Sequence, residues 1–286
     1  MKLLIFGHNG WIGSQFINIL ETENIEFASA TCRADDEDAV EKEIIENKPT
    51  HIVSFIGRTH GPGYSTIDYL EQPGKLKDNI RDNLYSPLVL AILSRKYNVH
   101  LTYLGTGCIF SQEDPSSKSY SEDDKPDFFG SSYSIVKGFT DKIMHLFPNN
   151  VLNLRIRMPI TDTMHPRNFI TKIVNYEKIC SIPNSMTVLP DILPIVVDMI
   201  SKSTKGTFNM VNPGIIEHNE ILKMYKETVD EDFTWANFTI SEQDKILASK
   251  RSNNQLDSDK LKTMYPNIPS IHNAVKRCLE NIKTQK

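Results

Sequence analysis

The chain has 286 residues, 39% of them hydrophobic and 24% charged, with a formal net charge of -4; that length accommodates a dinucleotide-binding domain and a smaller appended one. The mildly acidic balance without long basic runs argues against nucleic acid as the main partner, although backbone amides and a few arginines can still hold an anionic ligand. Cys32, Cys108, Cys180 and Cys278 are scattered without CxxC pairing, and no window approaches the roughly 18 apolar residues of a membrane span, so the expectation is a protein of the reducing cytoplasm with no disulfide framework, zinc site or membrane contact.

In chain order, Leu3 to Phe6 is an apolar run too short for a signal-peptide core and reads as a strand buried on both faces. Ile12, Phe16, Ile19 and Leu20 recur at helical spacing, and Phe27 to Ala30 forms a second strand. Val40, Ile44 and Ile45 mark a helix that stops near Lys48-Pro49. His51 to Ile56 is another buried strand. Ile80, Leu84, Leu88, Ala91 and Ile92 trace a long amphipathic helix. A strand at Leu101 to Leu104, a helix at Ser132 to Phe147 and a strand at Val151 to Ile156 complete the series. This alternation predicts an α/β fold with a doubly wound parallel sheet. Beyond about residue 160, Pro159, Pro166, Pro183, Pro190, Pro194 and Pro213 cut the chain into short pieces. We therefore divide it into a Rossmann domain, 1–160, and a substrate-binding lobe, 161–286, with a soft boundary across which segments exchange.

Gly7-His8-Asn9-Gly10-Trp11-Ile12-Gly13 follows the first strand and opens the first helix. The first glycine permits a tight turn, the second a close approach of backbone to pyrophosphate, the third tight helix–strand packing. The helix N-terminus then offers unpaired N–H groups to the phosphates. After the second strand stands Arg33, where an NAD enzyme usually carries Asp or Glu. A guanidinium there suits the 2′-phosphate of NADP; a solvated surface arginine is the plain alternative. NADPH is the cofactor expected, with Phe55, Ile56 and Gly57 at the end of the third strand and Pro159 after the last completing its contacts.

Tyr133 and Lys137 form a YxxxK motif at the start of a helix, on one face and one turn apart. A nearby ammonium favours phenolate and suits Tyr133 to acid/base work on a carbonyl or alcohol. Thr106, closing a strand upstream, can direct its hydroxyl at the same oxygen. Cys108 has two readings: a small buried hydrophobe, or an acid or base aimed at the carbon next to the carbonyl. The histidines His60, His100, His145, His165 and His218 show no ligand spacing, so no metal is expected. Glu122-Asp123-Asp124 reads as a solvated loop.

The glycine loop, Thr106, Tyr133 and Lys137 stand in the order and spacing of the short-chain dehydrogenase/reductase family. GHNGWIG, the segment Thr106 to Phe110, and Asp124 through Lys137 resemble the plant-type nucleotide-rhamnose synthase/epimerase-reductases, a type also found in giant viruses. So do Arg155 to Ile160, Pro166 to Ile173, Ile182 to Leu189 and Arg251 to Asn254. The resemblance covers almost the whole chain, and the pattern RSNNQLDSDKL is also similar to that of dTDP-4-dehydrorhamnose reductases. It implies that Thr106, Tyr133 and Lys137 serve reduction, and that Cys108 and Lys172 form an acid/base pair for epimerisation. In GDP-fucose synthase, of the same family, a catalytic cysteine likewise follows a hydroxyl residue after one spacer.

The implied reaction converts UDP-4-keto-6-deoxy-D-glucose to UDP-L-rhamnose, so the expected partner is a UDP-sugar, in an assembly expected to be a homodimer. Asn168, Asn184, Met186 and Arg251 are the candidate substrate contacts; for the two asparagines, turn and cap roles compete. Arg58 to Gln72 is longer than its plant equivalent and borders the sugar. Two other functions stay open: a keto-sugar 4-reductase without epimerase activity, and a non-catalytic NADP-binding regulatory subunit.

Overall fold

In the first strand Leu3 and Ile5 face one side and Leu4 and Phe6 the other, and all four are buried. Such a strand needs a layer of helices on each face. A computed structural model, which describes residues 1–111 and 119–285, shows both layers. The first half runs β1 (Lys2–Phe6), α1 (Trp11–Thr22), β2 (Glu26–Ser29), α2 (Glu37–Asn47), β3 (His51–Ser54), α3 (Leu76–Ile80), α4 (Ser86–Lys96), β4 (His100–Thr106), α5 (Ser132–Met144) and β5 (Val151–Ile156). A 3-10 turn, Ile67–Glu71, lies in the loop between β3 and α3. One wide π-turn, Arg81–Tyr85, joins α3 to α4, so the predicted long helix is continuous but bulged. The second half runs β6 (Pro159–Ile160), α6 (Phe169–Val174), β7 (Lys178–Ile179), β8 (Thr187–Val188), α7 (Leu189–Ser201), β9 (Gly206–Asn209), α8 (His218–Thr228), β10 (Ala236–Asn237), α9 (Ile240–Ile246), α10 (Asp259–Met264) and α11 (Ile271–Thr284).

The main sheet has the order β2-β1-β3-β4-β5-β9, and every pairing in it is parallel. The order reverses between β1 and β3, the switch point where ligands bind in such sheets, beyond the carboxyl ends of the strands. α1 and α7 cover one face through Phe16, Leu20, Val196 and Ile200. α2 and α4 cover the other through Val40, Ile44, Leu90 and Leu93. Each such buried side chain contributes about 1.5–3 kcal/mol. α7 and β9 come after residue 160 yet belong to the main sheet and its core.

The remaining lobe has its own core. Ile160, Ile170, Ile173, Ile221, Leu222, Val275 and Leu279 meet there, drawn from β6, α6, α8 and α11. Glu122 departs from the expectation of a solvated loop: it is buried, and its carboxylate accepts the backbone N–H of Asn209 at 3.0 Å, anchoring the chain before α5 to the edge strand β9. No helix among the described residues is long and apolar enough to cross a membrane.

Candidate active site

The turn from β1 to α1 requires its glycines. Gly7 has φ +79°, and a Cβ there would lie 3.0 Å from the Phe55 carbonyl carbon. A Cβ on Gly13 would lie 2.3 Å from the Gly7 carbonyl oxygen, so the first turn of α1 rests directly on the loop. Gly10 is the N-cap and brings no side chain to the free N–H groups of the helix. The turn therefore presents bare backbone donors and a positive helix end at the switch point, with Phe55, Ile56 and Gly57 opposite. This cradle fits a dinucleotide pyrophosphate. Next to it Trp11 stacks on His165 from the lobe, centroids 5.3 Å apart and planes within 9°. His8 and Asn9 lie in the same turn, and Pro159 starts β6.

Arg33 stands just past β2 with 61% of its side chain exposed. It pairs with Asp35 at 2.8 Å and with Asp82 at 3.2 Å. Arg81 reaches the same Asp82 carboxylate at 2.8 Å, and Arg58 joins it. Burial opposes ionisation of Asp82, but Arg81 and Arg58 outweigh it and hold the carboxyl below its usual range. One carboxylate thus gathers three guanidinium groups beside the end of β2, a setting that can receive a phosphate.

The catalytic candidates converge at the ends of β4 and α5. Ser131 caps α5 by accepting the N–H of Ser134 at 3.1 Å. Glu71 accepts the Ser132 N–H at 2.8 Å, so the loop after β3 closes onto the same helix end. That fixes Tyr133, which hydrogen-bonds with Thr106 and packs with Cys108, Tyr69 and Leu70. Thr106 in turn accepts the Cys108 N–H at 3.1 Å. Burial pushes the Tyr133 phenol up, helped by Cys108, while Thr106 pulls weakly the other way. The expected depression by Lys137 is absent, because its ammonium is turned to the Tyr103 hydroxyl, and burial decides the direction.

Lys137 is 4% exposed. Burial brings its ammonium down to about 7, against the pull of Asp141 and Cys108. Its Nζ donates to the hydroxyl of Tyr103 on β4 and lies 4.6 Å from the centre of that ring. Lys172 sits on α6 on the lobe side. Burial, then the neighbouring Arg167, lowers its proton affinity. Arg167 is hydrogen-bonded to the ring of His60, whose own affinity is lowered by burial and then by Arg167, Arg58 and Lys172.

Three of the four expected substrate contacts are engaged elsewhere. Asn168 is wholly buried; it caps α6 through Ile170 N–H at 3.1 Å and donates to the carbonyls of Thr161 and Thr163 at 2.9 and 2.8 Å. Asn184 is also buried, accepting from Arg157 and the Asn254 N–H and donating to Ile182 and Asn253. Met186 is 0% exposed within the lobe core. In this arrangement the short polar side chains satisfy turns and caps, and the thioether packs in the lobe core. Arg251 is accessible, and it ties the loop after β3 to the lobe through Asp68 at 2.6 Å.

Four residues at the site escaped sequence reasoning: Tyr103, Arg157, His60 and Arg167. Only Arg157 left a signal, a charge at the end of an otherwise buried strand. Among the described residues no cluster of His, Cys, Asp and Glu could hold a metal ion.

Compared with known proteins, residues 1–284 match the RmlD substrate binding domain family. The crystal structure of the L780 UDP-rhamnose synthase from Acanthamoeba polyphaga mimivirus superposes with a TM-score of 0.97, at 56% identity over 99% of both chains. A bifunctional dTDP-4-dehydrorhamnose 3,5-epimerase/dTDP-4-dehydrorhamnose reductase from Arabidopsis thaliana is 40% identical over 275 residues, 94% of this chain and 89% of that one. The dTDP-4-dehydrorhamnose reductase of Bacillus anthracis, solved in complex with NADP, shares the fold with a TM-score of 0.80 at 17% identity, covering 100% of this chain and 99% of that one.

Proposed function

The chain belongs to the RmlD substrate binding domain family, and from that premise we propose that it is an NADPH-dependent 4-reductase of a nucleotide-linked 6-deoxy-keto-sugar that also epimerises carbons 3 and 5 in the same site. The substrate in this reading is UDP-4-keto-6-deoxy-D-glucose and the product UDP-L-rhamnose, in keeping with the names of the mimivirus and plant relatives. The observation that carries it is the meeting of Thr106, Tyr133 and Cys108 in one buried cluster at the switch-point end of the sheet.

The ketone at carbon 4 acidifies the protons on carbons 3 and 5. Cys108 and Lys172 act as the base and acid, one taking a proton and the other returning one to the opposite face, with no net oxidation or reduction. Thr106 and Tyr133 donate hydrogen bonds to the enolate oxygen that forms between these steps. An NADPH held at the glycine loop would supply the hydride for carbon 4. Tyr133, kept protonated by its burial, then gives its proton to the oxygen. Lys137, released from Tyr103, would hold the cofactor ribose and Arg33 its 2′-phosphate, while Arg251 would contact the substrate from the rim.

The test mixes protein, UDP-4-keto-6-deoxy-glucose and NADPH in heavy water and reads the sugar by NMR. UDP-L-rhamnose carrying deuterium at carbons 3 and 5 supports both activities. An undeuterated 6-deoxy-hexose leaves a reductase alone. NADPH binding without turnover rejects the proposal.

A further inference from the structure

Arg155 and Arg157 lie two residues apart, and both are buried to within 1% of their surface, but among the described residues only Arg155 has a counter-ion. Asp141 holds Arg155 through two bonds, at 2.9 and 2.8 Å. Among the described residues Arg157 meets only neutral acceptors: the Gly107 carbonyl at 3.1 Å, the Ser252 hydroxyl and carbonyl at 3.2 and 3.1 Å, and the Asn184 side-chain oxygen at 2.5 Å. Its Nε is buried without any partner.

A buried guanidinium without a carboxylate is costly, and it cannot shed its proton as a lysine would. The Cys108 sulfur lies 4.0 Å from Nη1, the nitrogen that also donates to the Gly107 carbonyl and the Ser252 hydroxyl. The clamp of Gly107, Asn184 and Ser252 prevents the cation from swinging away, so its field at the sulfur is preorganised.

We infer that Arg157 is the fixed counter-charge of Cys108, a positioning residue that lets the sulfur carry negative charge during proton transfer. This rests on the acid/base reading of Cys108. The other ionisable groups facing the sulfur are Tyr133 and Lys137 from α5, with Tyr69 packed in the same cluster from the loop after β3. Tyr133 is held neutral by burial, and Lys137 is already engaged with Tyr103. Arg157 is therefore the permanent cation in the set.

The test follows alkylation of Cys108 by iodoacetamide between about pH 6 and pH 9, with the modified peptide resolved by mass spectrometry from those of Cys32, Cys180 and Cys278. In Arg157→Gln the rate–pH profile is expected to move to higher pH, with alkylation near neutrality about tenfold slower. Arg157→Lys, which keeps the charge but loses the fork, is expected to recover most of that rate. Equal profiles for parent and Arg157→Gln overturn the inference, as does a Lys variant no better than Gln. If neither variant folds, the parent decides: Cys108 reacting at lower pH than a free cysteine derivative supports the counter-charge, and reaction at the same or higher pH refutes it. Deuterium exchange at carbons 3 and 5 is measured in parallel. Failure of exchange in the parent rejects the epimerase reading while the alkylation profile still judges Arg157.

Discussion

Lys137, one turn after Tyr133, donates to the hydroxyl of Tyr103, and both partners are buried between α5 and β4. The folded protein thus holds a lysine whose proton affinity burial lowers from the ordinary 10.5 to about 7. Between these values the unfolded chain binds the extra proton, so stability rises with pH through this window. Raising pH from about 7 to about 9 is expected to add about 2 kcal/mol from this group. Lys137→Met is expected to flatten the rise in urea denaturation. Tyr103→Phe removes the acceptor, and is expected to lower stability at pH 7 more than at pH 9, because only the ammonium form loses its buried partner.

Gly13→Ala sets a methyl group 2.3 Å from the Gly7 carbonyl oxygen, with backbone on both sides of the contact. The turn cannot yield without moving the donors at the start of α1. NADPH affinity, read by quenching or calorimetry, is expected to fall at least about tenfold, with a stability loss of about 1–3 kcal/mol.

The ion pair of Asp68 and Arg251 fastens the loop after β3 to the lobe. Arg251→Met is expected to raise KM for the keto-sugar several-fold and to make the loop more sensitive to proteolysis. The pair itself contributes about 1 kcal/mol, measured by a double-mutant cycle with Asp68→Asn. Burial raises the Asp68 pKa, but the bond and charge of Arg251, with hydrogen bonds from Thr66 and the Ala248 backbone, together outweigh it and leave the pKa depressed. This stabilisation is present above the ordinary carboxylate pKa of about 3.9 and is lost as pH falls below it.

Asn168→Ala deletes the cap of α6 and strands the carbonyls of Thr161 and Thr163. The cost is expected to be about 2 kcal/mol, seen as a lower Tm. Because α6 carries Lys172, deuterium exchange at the sugar is expected to fall more than reduction of an already epimerised keto-sugar.

Local chemistry was legible in the chain. Leu3 to Phe6, the helical recurrence of Phe16 and Leu20, and GHNGWIG leading into α1 each express a rule that acts over a few residues, so strand, helix and glycine turn follow from spacing. Tyr133 and Lys137 share a helix face for the same reason. Roles set by distant partners were not legible. Met186 and Met164 are the same residue type, yet packing buries one in the lobe core and leaves the other at the surface. Glu122 became an anchor only because β9 passes beside it. Among the described residues Arg155 has a counter-ion and Arg157 has none, because Asp141 on α5 faces one guanidinium and Gly107, Asn184 and Ser252 surround the other. Periodicity fixes which face a side chain takes within its own element; what stands opposite depends on how the elements pack, and only the tertiary structure decides that.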